Sequence, residues 1–399
     1  MKITNVTCNV VTIPFRAPIR YAHGSLAGTT RTLVRIETDE GITGLGETLG
    51  SDSARTIDNL KPSIVGIDPH DIESIILKCS GYARYHPFYT INMRPLAGIE
   101  IALWDIVSKA ANRPLYDLLG GKCRDSVAFS GYVYPRYQNQ TEGGETTPEE
   151  ISNYCAKIVK ENGYKRIEVK LGVFDLQKDI ETIRAIREKI GSNVEVGVDP
   201  NSLWSPETAI KMIGKLDRYD LCNVEEPCRG LEASARVRRS VTVPISTHSP
   251  LIPEVARLNA ADVIVGDPHE AGGILISKKL IAAAEIHNLG FWLHSTAEAG
   301  VSMAAYLHIA ASSPHIIHPS QGTYEHLADD IIIGSKHKFR EGSVRVPDGP
   351  GLGVELDEEK VRIYHENFLR SGEQGFAGYN PIREADVQRP KWTPRIPEY

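Results

Sequence analysis

The chain has 399 residues, 41% of them hydrophobic and 24% charged, with a formal net charge of −6. That length suits one large barrel carrying a second domain, and interspersed charges of both signs argue against nucleic-acid binding or a membrane-seeking surface. The opening MKITNVTCNVVTIPF alternates like a strand and lacks a signal peptide's apolar core, and no run is long enough to span a membrane, so a cytoplasmic protein is expected.

In chain order, Leu33 to Glu37 and Ile42 to Leu45 flank the Asp39-Glu40-Gly41 turn and predict an antiparallel hairpin. An apolar helix over Leu96 to Val107 follows, carrying Ile99, Ala102, Leu103 and Ile106, and Gly120-Gly121 ends that region. Residues 1–125 therefore read as an α+β domain. From Ser126 short β-prone runs alternate with amphipathic helices, the pattern of βα units around a parallel sheet, and residues 126–340 read as a barrel. Two helix starts are explicit. Thr147-Pro148-Glu149-Glu150 is a capping box ahead of the stripe Ile151, Tyr154, Cys155, Ile158 and Val159, and Ser205-Pro206-Glu207 opens a second helix in the same way. The polar, Pro-rich residues 341–399 are expected to pack back on the first domain. The six cysteines form no CxxC pair and suit reduced thiols, with Cys228 read as packing.

Chemistry sits at the strand ends. The β-prone runs finish at or just before Lys170, Asp199, Glu225, His248, Asp267 and His294, at intervals of 29, 26, 23, 19 and 27 residues. Each interval approximates one βα unit, and loops at the C-terminal rim of a barrel converge on one pocket. Asp199 and Glu225 are hard oxygen donors suited to Mg²⁺. Glu226 either supports that metal or caps the next helix. Arg166, Glu168 and Lys170 share one strand face by the period of two, which fits an ion-paired barrel floor or a lysine working beside a dication. Asp267 can fix the tautomer of His294 and raise its basicity, and the two then oppose Lys170 as proton-transfer groups.

These residues resemble the enolase superfamily, its mandelate racemase group, and glucarate dehydratase-type sugar-acid dehydratases most of all. The likeness is carried by Asp199-Pro200-Asn201, Glu225-Glu226-Pro227-Cys228, Asp267-Pro268-His269 and His294-Ser295. It extends to Ile99-Glu100-Ile101-Ala102-Leu103-Trp104-Asp105, Leu118-Leu119-Gly120-Gly121 and Val346-Pro347-Asp348-Gly349-Pro350-Gly351. The resemblance implies an α/β fold, a modified (β/α)7β barrel of the TIM type under an α+β capping domain. It implies Mg²⁺, with Mn²⁺ as the alternative, and Asp199, Glu225 and His248 at the metal. It implies substrate contacts from the cap loops, Arg20, Tyr21, His23 and Arg84 with Tyr85 and His86, and from Asn201. Glu325 resembles the acid that hydrogen-bonds a substrate carboxylate in mandelate racemase.

Two positions depart from the family pattern. Glu168 stands where a lysine is usual, which makes Lys170 a poorer base or an acid. His248 stands where an acid or amide is usual: it ligates Mg²⁺ weakly, selects Mn²⁺, or binds substrate while water fills the site. The expected reaction is Mg-dependent dehydration of an aldonate or aldarate to a 2-keto-3-deoxy acid through a metal-stabilised enediolate. The alternatives are racemisation or epimerisation of a 2-hydroxy acid and a catalytically silent sugar-acid binder. The expected partner is a small sugar acid, with the chain itself a homo-oligomer.

Overall fold

The computed structural model describes residues 1–81 and 93–374. A three-stranded antiparallel sheet comes first, in the order β1 (Ile3–Tyr21), β2 (Gly24–Thr38), β3 (Thr43–Leu49). The predicted turn joins β2 to β3, with Gly41 at φ 77°, a conformation that glycine adopts without strain. Packed with this sheet are α1 (Asp52–Leu60), α2 (Ile72–Ser80) and α3 (Arg94–Ala110), and the short α4 (Leu115–Leu118) follows. The predicted residues Ile99, Ala102, Leu103 and Ile106 of α3 are fully buried. Helix and sheet meet backbone to backbone: a Cβ on Gly46 would lie 1.9 Å from the Gly98 carbonyl oxygen.

From Ser126 strand and helix alternate as β4 (Ser126–Val133), α5 (Pro148–Asn162), β5 (Arg166–Lys170), α6 (Leu176–Ile190), β6 (Glu195–Asp199) and α7 (Pro206–Leu216). The series continues as β7 (Leu221–Glu225), α8 (Leu231–Ser240), β8 (Ile245–Thr247), α9 (Ile252–Leu258), β9 (Val263–Gly266), α10 (Pro268–Ala271) and α11 (Ile274–Ile286). It closes with β10 (Gly290–Leu293), α12 (Gly300–Ala311) and β11 (Ser320–Gln321). The two explicit helix starts form as expected. Thr147 Oγ1 accepts from Glu150 N at 3.3 Å while Glu150 Oε2 accepts from Thr147 N at 2.8 Å, and Ser205 Oγ accepts from Thr208 N at 3.2 Å. Caps of this kind each stabilise a helix by about 1 kcal/mol.

Strands β4 to β10 pair in parallel and in chain order. At the far edge β11 pairs in parallel with β4, and Leu293 N of β10 donates to Ser320 Oγ of β11 at 3.2 Å. The two ends of the sheet thus meet, giving the expected (β/α)7β barrel beneath an α+β cap. The hairpin β12 (Phe339–Arg340) and β13 (Ser343–Arg345) runs antiparallel to β4. Helix α13 (Glu358–Ser371) lies on β1, where His365 Nδ1 donates to the Val10 carbonyl and Asn367 Nδ2 to the Thr12 carbonyl, each at 2.7 Å. Among the described residues no helix is long and apolar enough to cross a membrane.

Candidate active site

The barrel interior is charged where branched apolar residues would ordinarily fill it. Arg166, Glu168 and Lys170 on β5 are 3%, 1% and 7% exposed and share one face of the strand by the period of two. Arg166 Nη2 lies 3.5 Å from Glu168 Oε2, and the Arg166 guanidinium stacks 4.3 Å above the Trp292 ring. Gly197 on the adjacent strand makes room for this carboxylate, because a Cβ there would meet Glu168 Oε2 at 2.4 Å. Burial pushes the Glu168 carboxyl up to about 8, and Arg166 only partly opposes the rise.

At the rim, the register sets Lys170 opposite Asp199. The Lys170 ammonium donates to Asp199 Oδ2 and lies 5.2 Å over the Tyr132 ring. Burial alone would depress the Lys170 pKa, but Asp199, Tyr134 and Glu225 outweigh it and the lysine stays protonated. Asn201 N and Nδ2 donate to the two Asp199 oxygens at 2.6 and 2.8 Å. Burial, and then repulsion from Glu225, lift the Asp199 carboxyl to about 6 against the pull of Lys170. On the next strand Glu225 takes Gln321 Nε2 at 2.5 Å and His248 Nε2 at 3.0 Å. Burial raises the Glu225 pKa, yet the hydrogen bond and charge of His248 and the charge of Lys170 hold it well below the usual range. His248 answers in kind: enclosure lowers it, but the hydrogen bond and charge of Glu225 prevail and carry it to about 9. Glu226 Oε1 accepts from Thr247 Oγ1 at 2.7 Å and His248 N at 2.6 Å, which fixes the turn presenting His248.

Beside these groups, the His294 Nδ1–H donates to Asp267 Oδ2 at 2.9 Å. The other oxygen, Oδ1, accepts from His269 N at 2.7 Å and from the Tyr306 hydroxyl at 3.2 Å. Burial raises the Asp267 pKa, but its bonds to His269 and His294 hold the carboxyl ionised, far below the ordinary value. Burial and the His248 cation both push His294 down, which favours the neutral ring, and among the described residues Nε2 has no hydrogen-bond partner. Lys170, Asn201, His248, Asp267 and His294 open together on a cavity of about 380 Å³, roofed by Tyr21 and Leu49 of the cap sheet. Among the described residues no three His, Cys, Asp or Glu side chains converge tightly enough to grip a metal ion.

The other expected contacts divide. Tyr21 lines the cavity. The Arg20 guanidinium stacks 4.7 Å from Tyr137 and 5.3 Å from Phe174, and its Nε is buried without a partner among the described residues. His23 Nε2 donates to the Asn201 carbonyl at 2.7 Å, clasping cap to rim. Arg84, with Tyr85 and His86, lies outside the described residues. Glu325 stands apart from the lining of this cavity: its carboxylate is held by the Tyr164 hydroxyl and by Asn162 Nδ2 at 2.5 Å, with Arg16 3.7 Å away. The polar side chain that reaches the site from the last strand is Gln321, which the sequence reading missed. Its position, 27 residues after His294, continues the ladder of intervals.

Similarity to known proteins extends along nearly the whole chain. Residues 3–120 match the family described as mandelate racemase / muconate lactonizing enzyme, N-terminal domain, and residues 150–360 match enolase C-terminal domain-like. A protein of Streptomyces coelicolor named "Probable glucarate dehydratase" is 27% identical, covering 93% of each chain. An arabinonate dehydratase of Saccharolobus solfataricus is 32% identical over 82% of this chain and 89% of its own. The crystal structure of an enolase from Thermobispora bispora complexed with magnesium and formate superposes with a TM-score of 0.87 at 30% identity, covering 94% of this chain and 95% of that one.

Proposed function

The chain belongs to the enolase superfamily, in its mandelate racemase group, and from that membership we propose that it dehydrates a sugar acid, an aldonate or aldarate, to a 2-keto-3-deoxy acid. The observation that carries the reading is the His294–Asp267 pair, 2.9 Å apart and opening on the same cavity as Lys170. A neutral imidazole whose Nδ1–H is held by a carboxylate presents Nε2 as a proton acceptor. His294 takes the α-proton of the substrate, leaving an enediolate. The β-carbon–oxygen bond then breaks, and Lys170 or the protonated His294 supplies the proton that leaves with the hydroxide as water. The resulting enol becomes the 2-keto-3-deoxy acid.

Asp199, Glu225 and His248 are the residues to hold a dication. The donor chemistry fits, since two buried carboxylates on adjacent strands repel one another and an imidazole stands on the third strand. Lys170, His248 and Gln321 now satisfy those carboxylates: Lys170 would yield Asp199 to the ion and His248 would turn its nitrogen from Glu225 to it, while Gln321 would keep orienting Glu225 through the other oxygen. Mg²⁺ or Mn²⁺ bound there supplies electrostatic stabilisation for negative charge on the substrate. Asn201 orients Asp199 through both carboxylate oxygens, and Tyr21 closes the cavity over the substrate.

Racemisation by the same groups needs Lys170 as a second base, and Asp199 keeps its proton in place as the two stand. The reading is tested by screening mono- and diacid sugars with Mg²⁺ and Mn²⁺ for 2-keto acid formation, and by following α-proton exchange in heavy water with His294→Asn. A drop of about 10²–10⁴-fold is expected in both readouts, as for loss of a general base. Undiminished exchange and turnover in the variant would remove His294 from the reaction, and a product of unchanged mass would convert the dehydratase into a racemase.

A further inference from the structure

Behind Asp267 a buried hydrogen-bond chain crosses from the barrel to the cap. Arg31 on β2 and Glu47 on β3 are both 0% exposed and joined by Arg31 Nε to Glu47 Oε1 at 2.7 Å. Glu47 also accepts from Ala299 N at 2.8 Å and Ser302 N at 2.9 Å, pinning this cap pair to the start of α12. Arg31 Nη2 lies 2.9 Å from Nε2 of His269, itself wholly buried. On the other side of that ring, Nδ1 is 2.8 Å from the Tyr306 hydroxyl, which stands 3.2 Å from Asp267 Oδ1.

The protons in this chain have only one consistent direction. A carboxylate accepts and never donates, so the Tyr306 hydroxyl donates to Asp267 Oδ1. The Tyr306 oxygen, 2.8 Å from His269 Nδ1, is then an acceptor, and the ring proton sits on Nδ1. Nε2 accepts from the Ser302 hydroxyl at 2.8 Å, while Arg31 Nη2, 2.9 Å from Nε2 and 3.4 Å from Nδ1, lies over the face of the ring. With Nδ1–H donating to the Tyr306 oxygen, the tyrosine's own proton is forced onto Asp267 Oδ1. That oxygen also takes the His269 backbone N–H, which leaves Oδ2 for the Nδ1–H of His294.

We propose that His269 and Tyr306, with Arg31 of the cap lying over the imidazole face, form a positioning relay that sets the orientation and tautomer of the proton-transfer histidine, acting only through Asp267. None of the three touches substrate in this assignment, and each works by fixing its neighbour. The catalytic consequence rests on the proposed role of His294, while the direction of the chain does not.

Two measurements separate those parts. Nitrogen-15 NMR of the imidazoles in the full chain should show His269 neutral and protonated at Nδ1, and a ring protonated at Nε2 would overturn the relay whatever the enzyme does. In kinetics, Tyr306→Phe keeps the ring and removes the hydroxyl, so kcat should fall about 10–100-fold, as for loss of an outer-shell partner, with KM and the thermal midpoint nearly unchanged. In a His294→Asn background the same substitution should cost nothing further in residual turnover, because the relay has no other outlet. An equal loss in both backgrounds would mean a general structural role and would overturn the proposal. Should His269 carry its proton on Nδ1 while the wild-type protein dehydrates no sugar acid, the functional reading fails and the hydrogen-bond chain stands.

Discussion

His248 and His294 meet edge to face across the barrel mouth, their ring centroids 4.4 Å apart and their planes at 79°. The two imidazoles are tied to opposite sides of the site, one to Glu225 through Nε2 and the other to Asp267 through Nδ1. Their charges consequently diverge. Glu225 draws His248 up to about 9 against its enclosure, and burial together with that cation drives His294 down.

A proton on His248 has to leave before its nitrogen can bind a metal. Its pKa of about 9 means that the metal-free protein carries this proton at pH 7.5. Titration of Mn²⁺ into the protein in buffers of different ionisation heat should therefore report release of close to one proton per ion. His248→Asn should abolish that release, and it should narrow the preference for Mn²⁺ over Mg²⁺ by removing the softer donor. Equal proton release in both proteins would show that His248 is not a ligand.

Gln321 holds Glu225 Oε2 at 2.5 Å, and its own Oε1 lies 3.3 Å from Ser295 N. Gln321→Met should weaken metal binding about 10–100-fold by freeing the ligand carboxylate, with little change in thermal midpoint. The check is the Mn²⁺ dissociation constant measured by calorimetry beside a melting curve.

Lys170 is the cation that balances Asp199 when no ion is bound. Lys170→Met leaves a buried carboxylate unpaired, a change that costs about 3–5 kcal/mol in comparable pairs. Melting of the metal-free variant should drop by several degrees, and Mg²⁺ should restore more stability to the variant than to the wild type, because it now neutralises a lone charge. Equal shifts on adding Mg²⁺ would place the ion away from Asp199.

Asp179 on α6 gives a stability test remote from catalysis. It is wholly buried with the Gly172 N–H at 2.9 Å on Oδ2, and burial pushes its carboxyl to about 8, with that hydrogen bond opposing. The folded state thus keeps a proton that the unfolded chain releases above about pH 4. Stability from this group is full at low pH and is lost as pH rises toward 8, by up to about 1.4 kcal/mol per pH unit. Asp179→Asn keeps the acceptor and removes the titration, so urea midpoints at pH 5 and pH 8 should lie closer together than in the wild type.

Much of the site was readable because barrel geometry repeats. The ladder from Lys170 to His294 marks one rim, since each βα unit returns the chain to the same end of the sheet. Glu325 rests on a resemblance and not on a strand end. Strand β11 is only two residues long and has no periodicity to mark its end, so Gln321 went unnoticed. Helix α12 was equally silent. All twelve of its residues are buried, and a helix enclosed on every side shows no amphipathic stripe.

Alternating βα segments, capped helix starts and ligand-type residues at strand ends were local properties, so the chain by itself determined the barrel, its cap and the run of polar residues along one rim. Which partner each side chain takes was decided only in three dimensions. Lys170 turns to Asp199, His248 to Glu225, and Arg31 reaches His269 across 238 positions of sequence. Hydrogen-bond direction and charge balance depend on distances between strands and domains, and no spacing along the chain encodes those.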